Sequence, residues 1–596
     1  MKRFIIAAIV LVALGMAGLK IRLVEDNADA TDTASAAAGS GPVRYVRLDV
    51  GLDQQQAAYW HHGDEGSGFL PLSFFYALRD VDTGKPFIDS LTRFGLVPDR
   101  SSPGALPIGL TVGHPAMSPG NALYLGVNCA ACHSGMYTYR GTAMIMDGAP
   151  NMLDFEKLLD ALKRSLRVTL DSPEKMFQMI SIIMQREHDP NTTGELFEVH
   201  PETLRLFTAA ATAADDHPLA ALRHAMETGL HDAYHGAAEL RPAKLQQLAD
   251  RIEDLVPDNA GWSKDALHDA RDDLAHFHKD LDFLEDHARR LLKLKDSYTG
   301  ETPAGPGRAD SFDAIWDLLV QKHKETPMIA PVSIPHLFDY THFTWIHWDG
   351  NTSTVLQRDY AQAIALGANY DPSTSASSVL AHDVIRLEET ARHISSPRWP
   401  EDILGRIDRG KARRGAVLFA AHCQSCHGQE SLTPVAQVGT DPRRAENFAL
   451  LEQGGKSYAD LLTELGDAVV NTSLASQGIP PSALVPIERS DTPGWRITHA
   501  YHSRPLKGIW ASPPYLHNAS VPTLWDLLQP AAKRPRTFLV GREYDPVHAG
   551  INATHQPEGG WTFDTGATGN SNRGHEYAND LSDAQRGELV EYLKTL

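Results

Sequence analysis

The only four cysteines of this 596-residue chain fall into two pentapeptides, Cys129-Ala130-Ala131-Cys132-His133 and Cys423-Gln424-Ser425-Cys426-His427. Two thiols three positions apart, followed directly by histidine, form the Cys-x-x-Cys-His pattern of c-type haem attachment. Each thiol can make a thioether to one haem vinyl group, and the adjacent histidine then lies under the iron as proximal ligand. With every cysteine used, no thiol remains for a disulfide, a zinc site or a thiolate nucleophile. The pattern predicts two covalently bound haem c groups. Cys129 and Cys132 would hold one, with His133 on its iron; Cys423 and Cys426 would hold the other, with His427 on its iron.

The N-terminus points to the compartment in which such attachment occurs. Lys2 and Arg3 precede an apolar run from Phe4 to Leu19, the pattern of an export signal. Lys20 and Arg22 interrupt the run before it reaches the roughly 20 residues of a clean transmembrane helix. Residues 1–24 therefore read as a signal peptide or signal-anchor, and residues 25–42, rich in Ala, Asp, Thr, Ser and Gly, as a flexible linker. The expected location is the periplasm, free or tethered to the inner membrane. A formal charge of −20 argues against a nucleic-acid partner and against a polybasic membrane-binding patch.

The expected fold class is mainly α: two cytochrome c-type haem domains with a helical insertion between the haem motifs and little β structure. Residues 43–330 read as an N-terminal haem domain, 331–410 as an aromatic-rich bridging segment, and 411–596 as a C-terminal cytochrome c domain. The insertion spans about 156–300, where Leu158, Leu159, Leu162 and Leu166, and later Leu274, Phe277, Leu281 and Leu284, recur at helical spacing. Its His231 and His235 have metal-compatible spacing but no evident third ligand, so they read as an ordinary surface pair. Turn residues at Tyr139-Arg140-Gly141 and Asp147-Gly148-Ala149-Pro150 should bring the chain back past the first haem. In the bridging segment Phe343, Trp345, His347 and Trp348 suit core packing, a substrate pocket or a position between the irons. In the last domain Gly415, Phe419 and Cys423 recur every four residues, and a capping box at Ser582 and Gln585 opens a final helix with the apolar stripe Leu589, Tyr592, Leu593 and Leu596. Those two helices should cross beside the second haem.

The methionine count bears on the second iron. Met328 is the last methionine, so the C-terminal domain has no thioether to serve as sixth ligand. A histidine is expected there, from among His499, His502, His517, His548, His555 and His575. His575, at the end of a flexible glycine-rich loop that can fold over the haem face just before the final helix, is preferred; His517, beside Pro513-Pro514-Tyr515, suits a supporting role. Imidazole in place of thioether stabilises ferric iron, so this haem should have a low potential and act as an electron store. None of the fifty residues after His133 is a histidine, although Met136, Met144, Met146 and Met152 lie near in sequence. The preferred reading leaves the first iron open, or weakly held, on its distal side for oxygen or peroxide.

Taken together, the two haem motifs, Pro513-Pro514-Tyr515-Leu516-His517-Asn518, and His575 before a Glu591-Tyr592-Leu593-Lys594-Thr595-Leu596 ending resemble the bacterial di-haem cytochrome c peroxidase superfamily. Val127-Asn128 before the first motif, Asp147-Gly148-Ala149-Pro150, His347-Trp348-Asp349-Gly350-Asn351 and Gly508-Ile509-Trp510 are most similar to its rubber oxygenase branch. The resemblance covers roughly residues 100–155 and 300–596. It implies an N-terminal haem, with His133 proximal, that binds dioxygen for oxidative cleavage of carbon–carbon double bonds. It also implies a C-terminal haem held by His427 and His575; the peroxidases carry methionine where His575 stands. The stretch 156–300 has no counterpart motif in that branch, and a membrane anchor does not suit attack on an extracellular polymer, so rubber is not the expected substrate. The expected function is a periplasmic di-haem oxidoreductase, oxygenase-like, using oxygen or peroxide on an unsaturated hydrophobic compound. A peroxidase fed by a small electron-donor protein and a non-catalytic electron-transfer cytochrome are the alternatives. Phe312, His347 and Trp348 are the catalytic candidates.

Overall fold

The computed structural model describes residues 43–99, 106–117, 122–188, 196–297, 302–316, 318, 330–484, 494–555 and 560–596. The export signal or anchor and its linker lie outside the described residues, as does the side chain of Phe312. Among the described residues no helix is long and apolar enough to cross a membrane. Helices form the frame, and strands are short.

The first motif is built on a small sheet. Tyr124–Val127, buried throughout, pairs with Leu70–Pro71 on one side and Leu110–Gly113 on the other. It runs into Asn128, whose side chain caps the helix Cys129–His133 by accepting from Ala130 N at 2.9 Å. The same amide donates to the carbonyls of Trp60 and Gly63 at 3.0 and 2.9 Å, which ties the motif to the helix Gln54–His62. The chain then forms a hairpin, Ser134–Tyr139 with Thr142–Asp147, and Arg44–Arg47 joins its edge in parallel. The hairpin delivers the following turn back onto the motif: Gly148 N donates to His133 O at 2.6 Å and Asn151 N to Cys132 O at 2.9 Å. Met136, Met144, Met146 and Met152 are all buried in the core under this hairpin.

The described residues between Phe155 and Ser297 form a succession of helices, including Phe155–Leu170, Pro173–Glu187, Ala220–His235, Lys264–His276 and His278–Ser297. Asp154 and Ser172 cap the first two, and Pro173 opens the second, where its missing N–H costs nothing. The leucines and phenylalanine at helical spacing are buried, each contributing about 1.5–3 kcal/mol. Their core is continuous with Phe69, Tyr124, Val127 and Ala131, so the helices pack as a layer on the wall of the first motif. The His231 and His235 rings lie 4.4 Å apart, tilted 49°, and His235 Nε2 bonds the Leu170 carbonyl at 2.9 Å. No group of three or more metal-ligating side chains occurs among the described residues.

The segment 331–410 contains two full helices, Val355–Ala365 and Ala381–Ala391, which share a core with Tyr458–Ser476. Further on, Arg409–His422 crosses the final helix Asp583–Leu593. A Cβ on Gly415 would meet the Glu588 carbonyl oxygen at 2.0 Å, so only glycine allows this approach. Phe419 and Tyr592 pack beside the crossing at 5.2 Å. The Ser582 and Gln585 capping box forms on both sides, side chain to backbone.

Candidate functional site

Two adjoining cavities reach the two motif histidines, His133 and His427. The larger, of about 300 Å³, is lined by Cys423, Cys426, His427 and His575 together with Tyr501, His502, Arg504 and His517. The rings of His427 and His575 lie 6.1 Å apart between centroids, tilted 51° to each other. Two imidazoles bound to opposite sides of one metal, each at about 2 Å, would stand about 6 Å apart by the same measure. His427 Nδ1 lies 2.8 Å from the Arg504 carbonyl, so that nitrogen carries the proton and Nε2 keeps its lone pair. Burial pushes His427 below its ordinary pKa, and burial together with the neighbouring His427 and Arg534 takes His575 down to about 3. Both rings are therefore neutral at physiological pH, the form in which imidazole binds metal.

The loop that carries His575 is pinned. Arg534 donates to the carbonyls of Gly574 and His575 at 2.9 and 3.2 Å, and Asn518 to those of Gly569 and Ser571 at 3.0 Å each. His575 N reaches the Val438 carbonyl at 2.8 Å. Gly574 has φ +74 and lies so close to Gly439 that a Cβ would meet its carbonyl carbon at 2.2 Å. These contacts fix His575 over the cavity, where sequence reading expected a flexible approach.

The other histidines divide clearly. His517 stacks on Tyr501 at 4.1 Å and 20° against the cavity wall. His502 lines the same cavity, with Nε2 3.3 Å from Glu430. His499 bonds Glu446 and His548 bonds Asp545, both outside the cavity lining. His555 does not line it either.

The smaller cavity, of about 110 Å³, is lined by His133, His336, Tyr340, Phe343, His347 and Trp348 and by three arginines, Arg358, Arg444 and Arg504. The two candidates His347 and Trp348 thus meet His133 in one place. Cys129 and Cys132 stand outside this lining; the Cys129 thiol lies 3.8 Å from Glu65 Oε2. Burial pushes the Cys132 thiol up to about 12, with the Glu65 charge adding to the rise. Burial, then Arg358, lowers His133 to about 3. The Pro335 carbonyl acts on the His133 ring without reaching Nδ1 in hydrogen-bond geometry, the counterpart of Arg504 at His427. No methionine lines this cavity among the described residues. His347 Nδ1 lies 2.8 Å from Asn351 Oδ1, an acceptor, so the proton is on Nδ1. His347 adopts φ +68, a backbone conformation rare for a residue of its size.

Sequence reading missed a charged cluster beside this cavity. Arg358 pairs with Asp359 at 2.5 Å and with Glu388 at 2.7 Å, and Tyr340 donates its hydroxyl proton to Glu388. Burial raises Glu65 to about 8, with Asp64 adding to the rise. Ser333, Ile334, His336, Trp348 and Arg504 line both cavities and form the wall between them.

Arg504 and His517 both fall in a segment with known relatives. Residues 500–539 match the family model described as RoxA-like, cytochrome c-like. That match implies haem c. The neutral imidazole pair and the two cysteines on the larger cavity fit such a group: Cys423 and Cys426 would attach it, with His427 and His575 beside its iron. Across nearly its whole length the chain is similar to the uncharacterized protein y4iJ of Sinorhizobium fredii, 27% identical over 638 residues, 92% of this chain and 93% of the relative. The uncharacterized protein y4iM of the same organism is 27% identical over 353 residues, 51% of this chain and 74% of the relative.

Proposed function

We propose that the protein is a periplasmic di-haem c oxidoreductase, oxygenase-like, in which the smaller cavity is the reactive site and the larger one a low-potential electron store. The observation that carries this reading is the unlike surroundings of the two motif histidines. His427 has the His575 ring 6.1 Å away across one cavity, whereas His133 opens onto a space shared by His336, His347, aromatic side chains and three arginines, with no single ring paired to it at that distance among the described residues. When bound, haem c supplies electron transfer and oxidant activation, and an imidazole pair on its iron favours the ferric state over an imidazole–thioether pair. The protein's own part is orientation and exclusion of water. Arg504 holds the proton of His427 on Nδ1, and Arg534 and Asn518 hold the His575 loop. Tyr340, Phe343, Ile346, Trp348 and Trp495 give the smaller cavity an apolar lining suited to a hydrophobic, unsaturated substrate. Trp348 stands in the wall between the two cavities, in position for electron exchange. Export by residues 1–24, with or without retention as an anchor, accounts for attachment in the periplasm.

A second reading, a peroxidase fed by a small electron-donor protein, draws on His347 and Arg358. Both line the smaller cavity, and burial with the charges of Arg444 and Arg358 holds His347 well below its ordinary pKa. A neutral imidazole beside a fixed cation can move a proton and stabilise developing negative charge during O–O cleavage. Oxygen uptake with a polyunsaturated olefin, measured beside peroxide consumption with a reduced donor, separates the two. The oxygenase reading expects cleaved carbonyl products and oxygen uptake without donor. Donor-dependent peroxide loss with no olefin cleavage would replace it with the second.

A further inference from the structure

The cations around the smaller cavity are unequally matched. Arg358 has Asp359 and Glu388 at 2.5 and 2.7 Å, and Arg444 has Asp349 at 3.4 Å. Arg504 has no carboxylate within 4.0 Å among the described residues. Its guanidinium reaches only the His336 carbonyl, at 3.5 Å, and lies against the faces of Phe343 and Trp348 at 5.5 and 5.1 Å. Arg504 is half-buried and lines both cavities, and a guanidinium partly removed from water is better held with an anion than without one. Its carbonyl accepts from His427 Nδ1. The room for such an anion is in the cavities that Arg504 lines, and a haem brings two carboxylates of its own.

We propose that Arg504 is the carboxylate-binding residue shared by the two sites, its guanidinium neutralising haem propionate at the wall between the cavities while its carbonyl orients His427. This rests on the di-haem reading given above. Planar, bidentate and permanently charged, arginine is suited to holding a carboxylate ionised. Burial lowers the Arg504 pKa only to about 10, so the charge persists at physiological pH. A cation placed there balances negative charge on both cofactors and so raises both reduction potentials.

The test uses the purified holoprotein without substrate, as wild type, Arg504→Gln and Arg504→Lys. Pyridine-haemochrome analysis counts the haems and spectroelectrochemical titration gives their midpoint potentials. The expected result is two haems throughout, lower potentials for both haems in Arg504→Gln, and potentials returned toward wild type in Arg504→Lys. Two bound haems with wild-type potentials in Arg504→Gln would overturn the proposal. If Arg504→Gln does not accumulate, Arg504→Lys decides alone: potentials near wild type support a charge role, and displaced potentials overturn it. Fewer than two haems in the wild type would instead overturn the di-haem reading beneath it.

Discussion

Arg358 joins three carboxyl-bearing neighbourhoods beside the first motif, since Asp359 and Glu388 pair with it directly and Glu65 feels its charge. Removing one partner of a buried ion pair leaves the other uncompensated, at a cost of about 3–5 kcal/mol. Arg358→Met should therefore lower the unfolding free energy by about 3–5 kcal/mol in chemical denaturation; a change within the noise of the wild-type curve would mean the cluster is solvated. A second prediction concerns Asp280, whose carboxylate accepts from Phe197 N at 3.1 Å. Burial raises its pKa from an ordinary 3.8 to about 6. The unfolded chain ionises this group first, so its contribution to stability is complete below 3.8 and is lost as pH rises through about 6. Asp280→Asn should remove that part of the decline. Melting temperatures of the two proteins measured across this range should diverge as pH rises, with the variant higher, and parallel curves would contradict the assignment.

At the scale of elements, the crossing of Arg409–His422 with Asp583–Leu593 depends on one atom that Gly415 lacks. Gly415→Ala should force the helices apart and cost about 1–3 kcal/mol, read as a lower melting temperature and a disturbed Soret band from the adjacent cavity. An unchanged melting temperature would show that the crossing tolerates a methyl group. This crossing was legible in sequence, because Gly415, Phe419 and the Ser582 capping box are local patterns with a fixed period. The two Cys-x-x-Cys-His motifs were legible for the same reason: their chemistry needs residues within one helical turn. Arg534, Asn518 and Arg504 were not, because each acts on backbone or rings tens of residues away, and nothing in their own neighbourhoods marks the partner. The rigidity of the His575 loop was missed on this account. Its glycines look flexible in sequence, yet Gly574 is there to let the backbone approach Gly439. Likewise the cluster of Glu65, Arg358 and Glu388 draws on three separated segments, and only the fold assembles it.

For the whole molecule, two cavities sharing a wall of Ser333, Ile334, His336, Trp348 and Arg504 put His133 and His427 on neighbouring spaces. The helical layer between Phe155 and Ser297 supports the first motif through a continuous core. The central claim is that the two sites differ in ligation, with His427 and His575 together at the second. Low-temperature electron paramagnetic resonance of the ferric protein, compared with His575→Ala, tests it most directly. The wild type should give a low-spin signal of bis-histidine type that is lost in His575→Ala and replaced by a high-spin signal of matching intensity, while the signal of the first haem is unchanged. A low-spin spectrum untouched by His575→Ala would contradict it and return the ligand question to His517 and His502.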